Sequence, residues 1–132
     1  MRRTIERVGP GEFDGVRLKR PGRWAVAFLA DWCPFCRAFE PQFAALDGAG
    51  ARLLVADMTD LESPLWDAFR VEVVPTVVVF EDGAAGFRED GVAGVGILAP
   101  GVAKIRAALG AAPRSRGDAP SGRTRRPRRT TE

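Results

Sequence analysis

The 132 residues suffice for one domain with its own core, and a hydrophobic content of 45% is ordinary for a soluble chain. No apolar run approaches the roughly 20 residues of a membrane span, and no apolar region follows Arg2 and Arg3, which argues against a signal peptide and makes a soluble cytoplasmic protein the default expectation. The formal charge of +3 sits at one end: residues 111–132 hold seven arginines against Asp118 and Glu132, a net of +5, which leaves −2 for residues 1–110.

In chain order, Thr4 to Val8 reads as a short edge strand, and Gly9-Pro10-Gly11 interrupts it. Glu12 to Lys19, with Phe13, Val16 and Leu18, reads as a weak helix, although Gly15 lies inside it. Arg20-Pro21-Gly22 is a turn. The run Trp24-Ala25-Val26-Ala27-Phe28-Leu29-Ala30 is apolar throughout, as expected of a strand buried on both faces.

The two cysteines of the chain follow that strand, in Asp31-Trp32-Cys33-Pro34-Phe35-Cys36. Cysteines three apart at a helix start lie on one face, with Cα atoms about 5 to 6 Å apart, within reach of a disulfide. Cys33 falls where unpaired backbone N–H groups and the helix dipole favour an anion, the nucleophilic form of a thiol. Pro34 suits the first helical turn, where its missing N–H costs nothing. Cys36, Phe39, Phe43 and Leu46 are spaced 3, 4, 3 and form an inward stripe. Cys36 is therefore expected buried and Cys33 exposed at the helix tip, one nucleophile and one shielded partner. Pro41 lies inside this helix and should kink it.

Arg52 to Ala56 reads as an interior strand. Ser63-Pro64 reads as an N-cap and first helical residue, with Leu65, Trp66 and Phe69 on the apolar side. Thr76-Val77-Val78-Val79-Phe80 is the strongest strand signal, and Asp82-Gly83 a hairpin turn leading into Ala85 to Glu89. Leu98, Val102, Ile105 and Leu109 are spaced 4, 3, 4, a last amphipathic helix ending at Gly110. The order β-α-β-α-β-α-β-β-α predicts an α/β fold with a mixed sheet covered by helices. Residues 1–110 form the expected domain. Residues 111–132, rich in Pro, Gly, Ser, Thr and Arg, are expected to be a disordered arginine-rich tail.

Ala30-Asp31-Trp32-Cys33-Pro34-Phe35-Cys36, Pro41, Val74-Pro75-Thr76 and Phe80-Glu81-Asp82-Gly83 together resemble the thioredoxin family over most of residues 4–110. The resemblance implies the thioredoxin fold, a cis Pro75 beside the cysteines, and a Val74 backbone that hydrogen-bonds an extended substrate segment. Two departures stand out. Where the family carries a buried aspartate, six residues before the first cysteine, this chain has Ala27; where the next strand usually ends in lysine, it has Asp57. The Pro-Phe dipeptide between the cysteines is closer to glutaredoxin than to the usual Gly-Pro. Asp57 is the candidate acid/base by alignment, with bulk water the alternative.

The expected function is thiol–disulfide exchange with disulfide-containing protein substrates through the Cys33–Cys36 dithiol, recharged by a reductase or other thiol donor. Trp32 is expected to flank the site as contact surface for substrates, and core packing is the competing reading. The exchange requires no metal or organic cofactor. A second reading is a non-enzymatic binding module, held to acidic partners or nucleic acid by its basic tail, for which a solvated tail is the bland alternative. A third is a zinc or iron–sulfur site bridging two chains, since one chain without histidine offers only two thiolates and carboxylates.

Overall fold

The structure, a computed structural model, describes residues 5–110; the arginine-rich segment 111–132 lies outside the described residues. The elements are β1 (Arg7–Val8), a 3-10 turn at Pro10–Glu12, β2 (Phe13–Asp14), β3 (Arg17–Leu18), β4 (Arg23–Leu29), α1 (Pro34–Ala44), β5 (Arg52–Asp57), α2 (Leu65–Ala68), β6 (Thr76–Glu81), β7 (Ala84–Asp90) and α3 (Ala99–Gly110). Five strands form one mixed sheet in the order β1-β5-β4-β6-β7. β5 runs parallel to β1 and β4, whereas β4–β6 and β6–β7 are antiparallel.

β4 lies at the centre because its sequence leaves it no exposed face: Ala25 to Leu29 are each at most 1% exposed. Its C-terminal end delivers the chain to the cysteines. α1 turns Cys36, Phe39 and Phe43 inward, and the helix continues through Pro41. α3 lies against β6 and β7. Its buried residues are Gly101, Ile105 and Leu109.

Glu12–Lys19 is not a helix. It is a two-strand hairpin, β2 paired with β3, with Phe13 opposite Leu18. Gly15 turns it with φ +61°, a conformation in which glycine is at no disadvantage. Phe13 and Leu18 are buried side by side while Val16, at the tip, is 53% exposed. A helix would have put Val16 on the same side as Phe13; the hairpin leaves it in solvent. Leu98 also departs from expectation. It precedes α3 and is exposed, and Gly101 occupies the inward stripe instead. α2 begins at Leu65, one residue later than expected, with the Ser63 hydroxyl accepting from the Leu65 N–H at 3.3 Å.

The Asp82-Gly83 turn has positive φ at both residues, 49° and 91°, as the β6–β7 hairpin requires. It also fastens the end of the sheet remote from the cysteines. The Asp82 carboxylate accepts from the Gly22 N–H at 2.7 Å, and the Gly83 carbonyl accepts from the Leu18 N–H at 3.0 Å.

Candidate active site

Cys33 is the N-cap of α1 and Pro34 its first residue; the Cys33 carbonyl accepts from the N–H groups of Cys36 and Arg37 at 3.1 and 3.2 Å. Both cysteines are free thiols. The exposed helix tip expected for Cys33 is not found: Cys33 is 4% exposed and Cys36 2%. The reason is the chain opposite. The Val74–Pro75 peptide is cis, and the Cys33 thiol donates to the Val74 carbonyl at 3.5 Å. Val74 and Pro75 are both buried, and they shield Cys33 from the side that a free helix end would leave open.

The cysteines differ in the hollow that each lines. Cys33 lines a mostly apolar depression of about 270 Å³, with Trp32, Phe35, Trp66, Val73 and Val74 among its walls. Trp32 is half exposed, so it is not a core residue. Its ring stacks on Trp66 at 6.4 Å and 9°, and its indole N–H donates to the Thr59 carbonyl at 2.9 Å. Cys36 lines a separate hollow of about 410 Å³, walled by Arg7, Asp31, Arg37 and Glu40 with Leu29 and Ala30. Its sulfur accepts from the Ala30 N–H at 3.4 Å. Burial pushes the Cys36 thiol up to about 12, and the nearby Cys33 thiol and Glu40 carboxylate push the same way against the Ala30 hydrogen bond.

Asp57 ends β5, in register with Leu29, but is not among the residues lining either hollow. Its carboxylate accepts from the Thr59 N–H at 2.9 Å and pairs with Arg7 at 3.5 Å. Burial raises its pKa, but the Thr59 hydrogen bonds and Arg7 outweigh that and hold it below the usual carboxylate range. Ala27 is fully buried. Among the described residues, no three His, Cys, Asp or Glu side chains converge as a metal site would require.

Several supports of the site carry no signal in the sequence. Trp66 stacks on Trp32 across the chain, and Glu40 faces the Cys36 hollow. Arg88 donates to the Phe69 and Arg70 carbonyls at 2.5 and 3.0 Å, fixing the segment that leads to Val74. Thr76 adds a hydroxyl hydrogen bond to the Val73 carbonyl at 2.6 Å. Gly91 closes over the same segment: a Cβ there would lie 2.4 Å from the Pro75 carbonyl oxygen. Gly91→Ala is accordingly expected to destabilise the domain by about 1–3 kcal/mol in urea unfolding, because a backbone carbonyl cannot step aside as a flexible side chain would. A variant as stable as the parent would show that this loop moves freely.

The end of the central strand thus leads into a helix-start dithiol whose first cysteine lies against a cis-proline peptide, on a thioredoxin fold. The thioredoxin family model matches residues 5–100, and the chain belongs to that family. It is 34% identical over 70 residues to protein disulfide isomerase-like 2-3 of Oryza sativa subsp. japonica, covering 52% of this chain and 16% of that protein. It is 29% identical over 75 residues to protein disulfide-isomerase 2-3 of Arabidopsis thaliana, covering 55% of this chain and 17% of that protein. The match thus spans about a sixth of these relatives' length. Among solved structures, mitochondrial thioredoxin 3 from Saccharomyces cerevisiae shares the fold with a TM-score of 0.61 at 24% identity, over 80% of this chain and 95% of that one. Thioredoxin f from spinach chloroplast gives 0.62 at 17% identity, over 80% and 92%.

Proposed function

We propose that the protein exchanges disulfides with protein substrates, Cys33 attacking and Cys36 resolving. The Cys33 thiolate attacks one sulfur of a substrate disulfide, expelling the other as a thiolate that takes a proton, and a mixed disulfide remains. Cys36 then attacks Cys33, forming the Cys33–Cys36 disulfide and releasing the second substrate thiol. A thiol donor or reductase returns the pair to the dithiol. The observation that carries the assignment is the pairing of each thiol with a different hollow. Cys33 adjoins an apolar surface with a half-exposed tryptophan, suited to polypeptide, and Cys36 does not.

Val74, next to Pro75, supplies the edge along which an extended substrate segment pairs. Trp32 and Trp66 supply contact area beside it. The setting proposed is the cytoplasm, where a reducing poise keeps such a pair charged; the support is that the only two cysteines of the chain are both spent on this motif. Within residues 1–110, the catalytic unit of this reading, no described helix is long and apolar enough to cross a membrane. The full chain with dithiothreitol is expected to accelerate reduction of insulin disulfides well above dithiothreitol alone, followed as precipitation of the freed chain. A rate equal to dithiothreitol alone refutes the reading.

A further inference from the structure

We propose that Glu40 is the proton acceptor for Cys36: the two side chains share one hollow, and the carboxylate takes the thiol proton across it so that Cys36 can resolve the mixed disulfide. The proposal rests on the exchange reading above and adds the residue that makes its second step work.

Glu40 follows Cys36 by four residues on α1, the spacing that puts two side chains on one helix face about one turn apart. It is half-buried, and it walls the same cavity as Cys36. At about 410 Å³ with charged walls, that cavity has room and polar partners for water, so a proton can pass without direct contact between sulfur and carboxylate. The other candidates are excluded by position or by engagement. Ala27 has no acceptor. The chain has no histidine. Asp57 does not wall the hollow and is held by Thr59 and Arg7.

The groups facing Cys36 are Cys33 and Arg37 on α1, Arg7 from β1, Asp31 after β4, and Glu40. Arg7 is already paired to Asp31 at 3.4 Å and to Asp57 at 3.5 Å. Among the described residues, Glu40 forms no ion pair, which leaves its carboxylate available. A thiol pushed up to about 12 by burial is almost wholly protonated at neutral pH and needs an acceptor at the moment of attack.

The step balances. The Cys36 Sγ–H bond breaks, its proton goes to the Glu40 carboxylate, and its electron pair forms the bond to Cys33 Sγ. The bond from Cys33 to the substrate sulfur breaks, and that sulfur leaves as a thiolate. Cys36 is oxidised from thiol to disulfide, Cys33 stays at the disulfide level, the substrate sulfur is reduced, and Glu40 then returns its proton to solvent or to the departing thiolate.

The test uses the full chain in the dithiol form and dithiobis(nitrobenzoate), whose two thionitrobenzoate releases separate the steps in stopped flow. The first release reports attack by Cys33, the second resolution by Cys36. Glu40→Gln should leave the first release as it is and slow the second by about a hundredfold or more at neutral pH, a typical loss for a removed general base. The gap should narrow as pH rises, because hydroxide takes over the proton. Glu40→Asp, which keeps the charge on a shorter stem, should recover part of the rate. A second release in Glu40→Gln with the parent's rate and pH profile would overturn the proposal. So would a defect that appears in Asp57→Asn and not in Glu40→Gln. If the unaltered protein itself gives no second release, the exchange reading fails rather than the role of Glu40.

Discussion

Cys33→Ser is expected to lower insulin reduction by at least about a thousandfold, while Cys36→Ser accumulates mixed disulfides with its substrates. The asymmetry follows from what each sulfur does. Serine nearly matches cysteine in size, so either variant should keep the fold, and melting should change by only about 1 kcal/mol. A hydroxyl cannot take the place of sulfur in a disulfide, so without Cys33 the first covalent link never forms. Without Cys36 the link forms and cannot be resolved. Non-reducing electrophoresis with and without dithiothreitol separates the two outcomes. Mixed disulfides that build up in Cys33→Ser instead would reverse the roles.

Phe28→Ala is expected to cost about 3–5 kcal/mol in denaturant unfolding, the range for truncating a buried aromatic. Phe28 lies on central strand β4 and is fully buried. Its ring meets Phe13 at 6.1 Å and Phe69 at 5.2 Å, and Phe80 closes the group at 6.0 Å from Phe69. Four rings from β2, β4, the end of α2 and β6 therefore share one space, and removing the one on the central strand opens a cavity that sheet and hairpin cannot both collapse into. A domain with a total stability of about 5–15 kcal/mol would be brought near the point of unfolding. A loss below about 1 kcal/mol would mean that the remaining rings repack.

The strongest signals in the chain were legible where local chemistry and tertiary environment agree. The β-branched run at Thr76 became β6, Asp82-Gly83 its turn, and Pro34–Ala44 a helix with Cys36, Phe39 and Phe43 turned inward as expected. The failures lie where long-range contacts decide. Phe13, Val16 and Leu18 fit a loose helical period, but Phe13 is drawn into an aromatic cluster whose other members are distant in sequence. Cys33 sits at the helix start as expected, yet a peptide some forty residues later covers it. Glu40 carries no sequence signal of its own, because helical periodicity marks apolar positions only. A glutamate one turn beyond a buried cysteine looks like a solvent-facing residue until the cavity between them is seen. Gly101 replaced Leu98 on the inward stripe because α3 approaches Ile97 and Glu89 so closely that a Cβ at position 101 would lie 2.9 Å from the Ile97 side chain.

The two hollows flanking the cysteines share no wall residue. A polypeptide laid across Trp32 and Val74 therefore stoppers one mouth and leaves the other in contact with bulk solvent. If Glu40 accepts the Cys36 proton as proposed, electron traffic and proton traffic run through different doors, and a bulky client and a small aromatic disulfide should present Cys36 with the same route for shedding its proton. On that reading the size of the cargo is uncoupled from the acid–base half of the cycle, and discrimination among clients is expected to fall to the tryptophan-lined side.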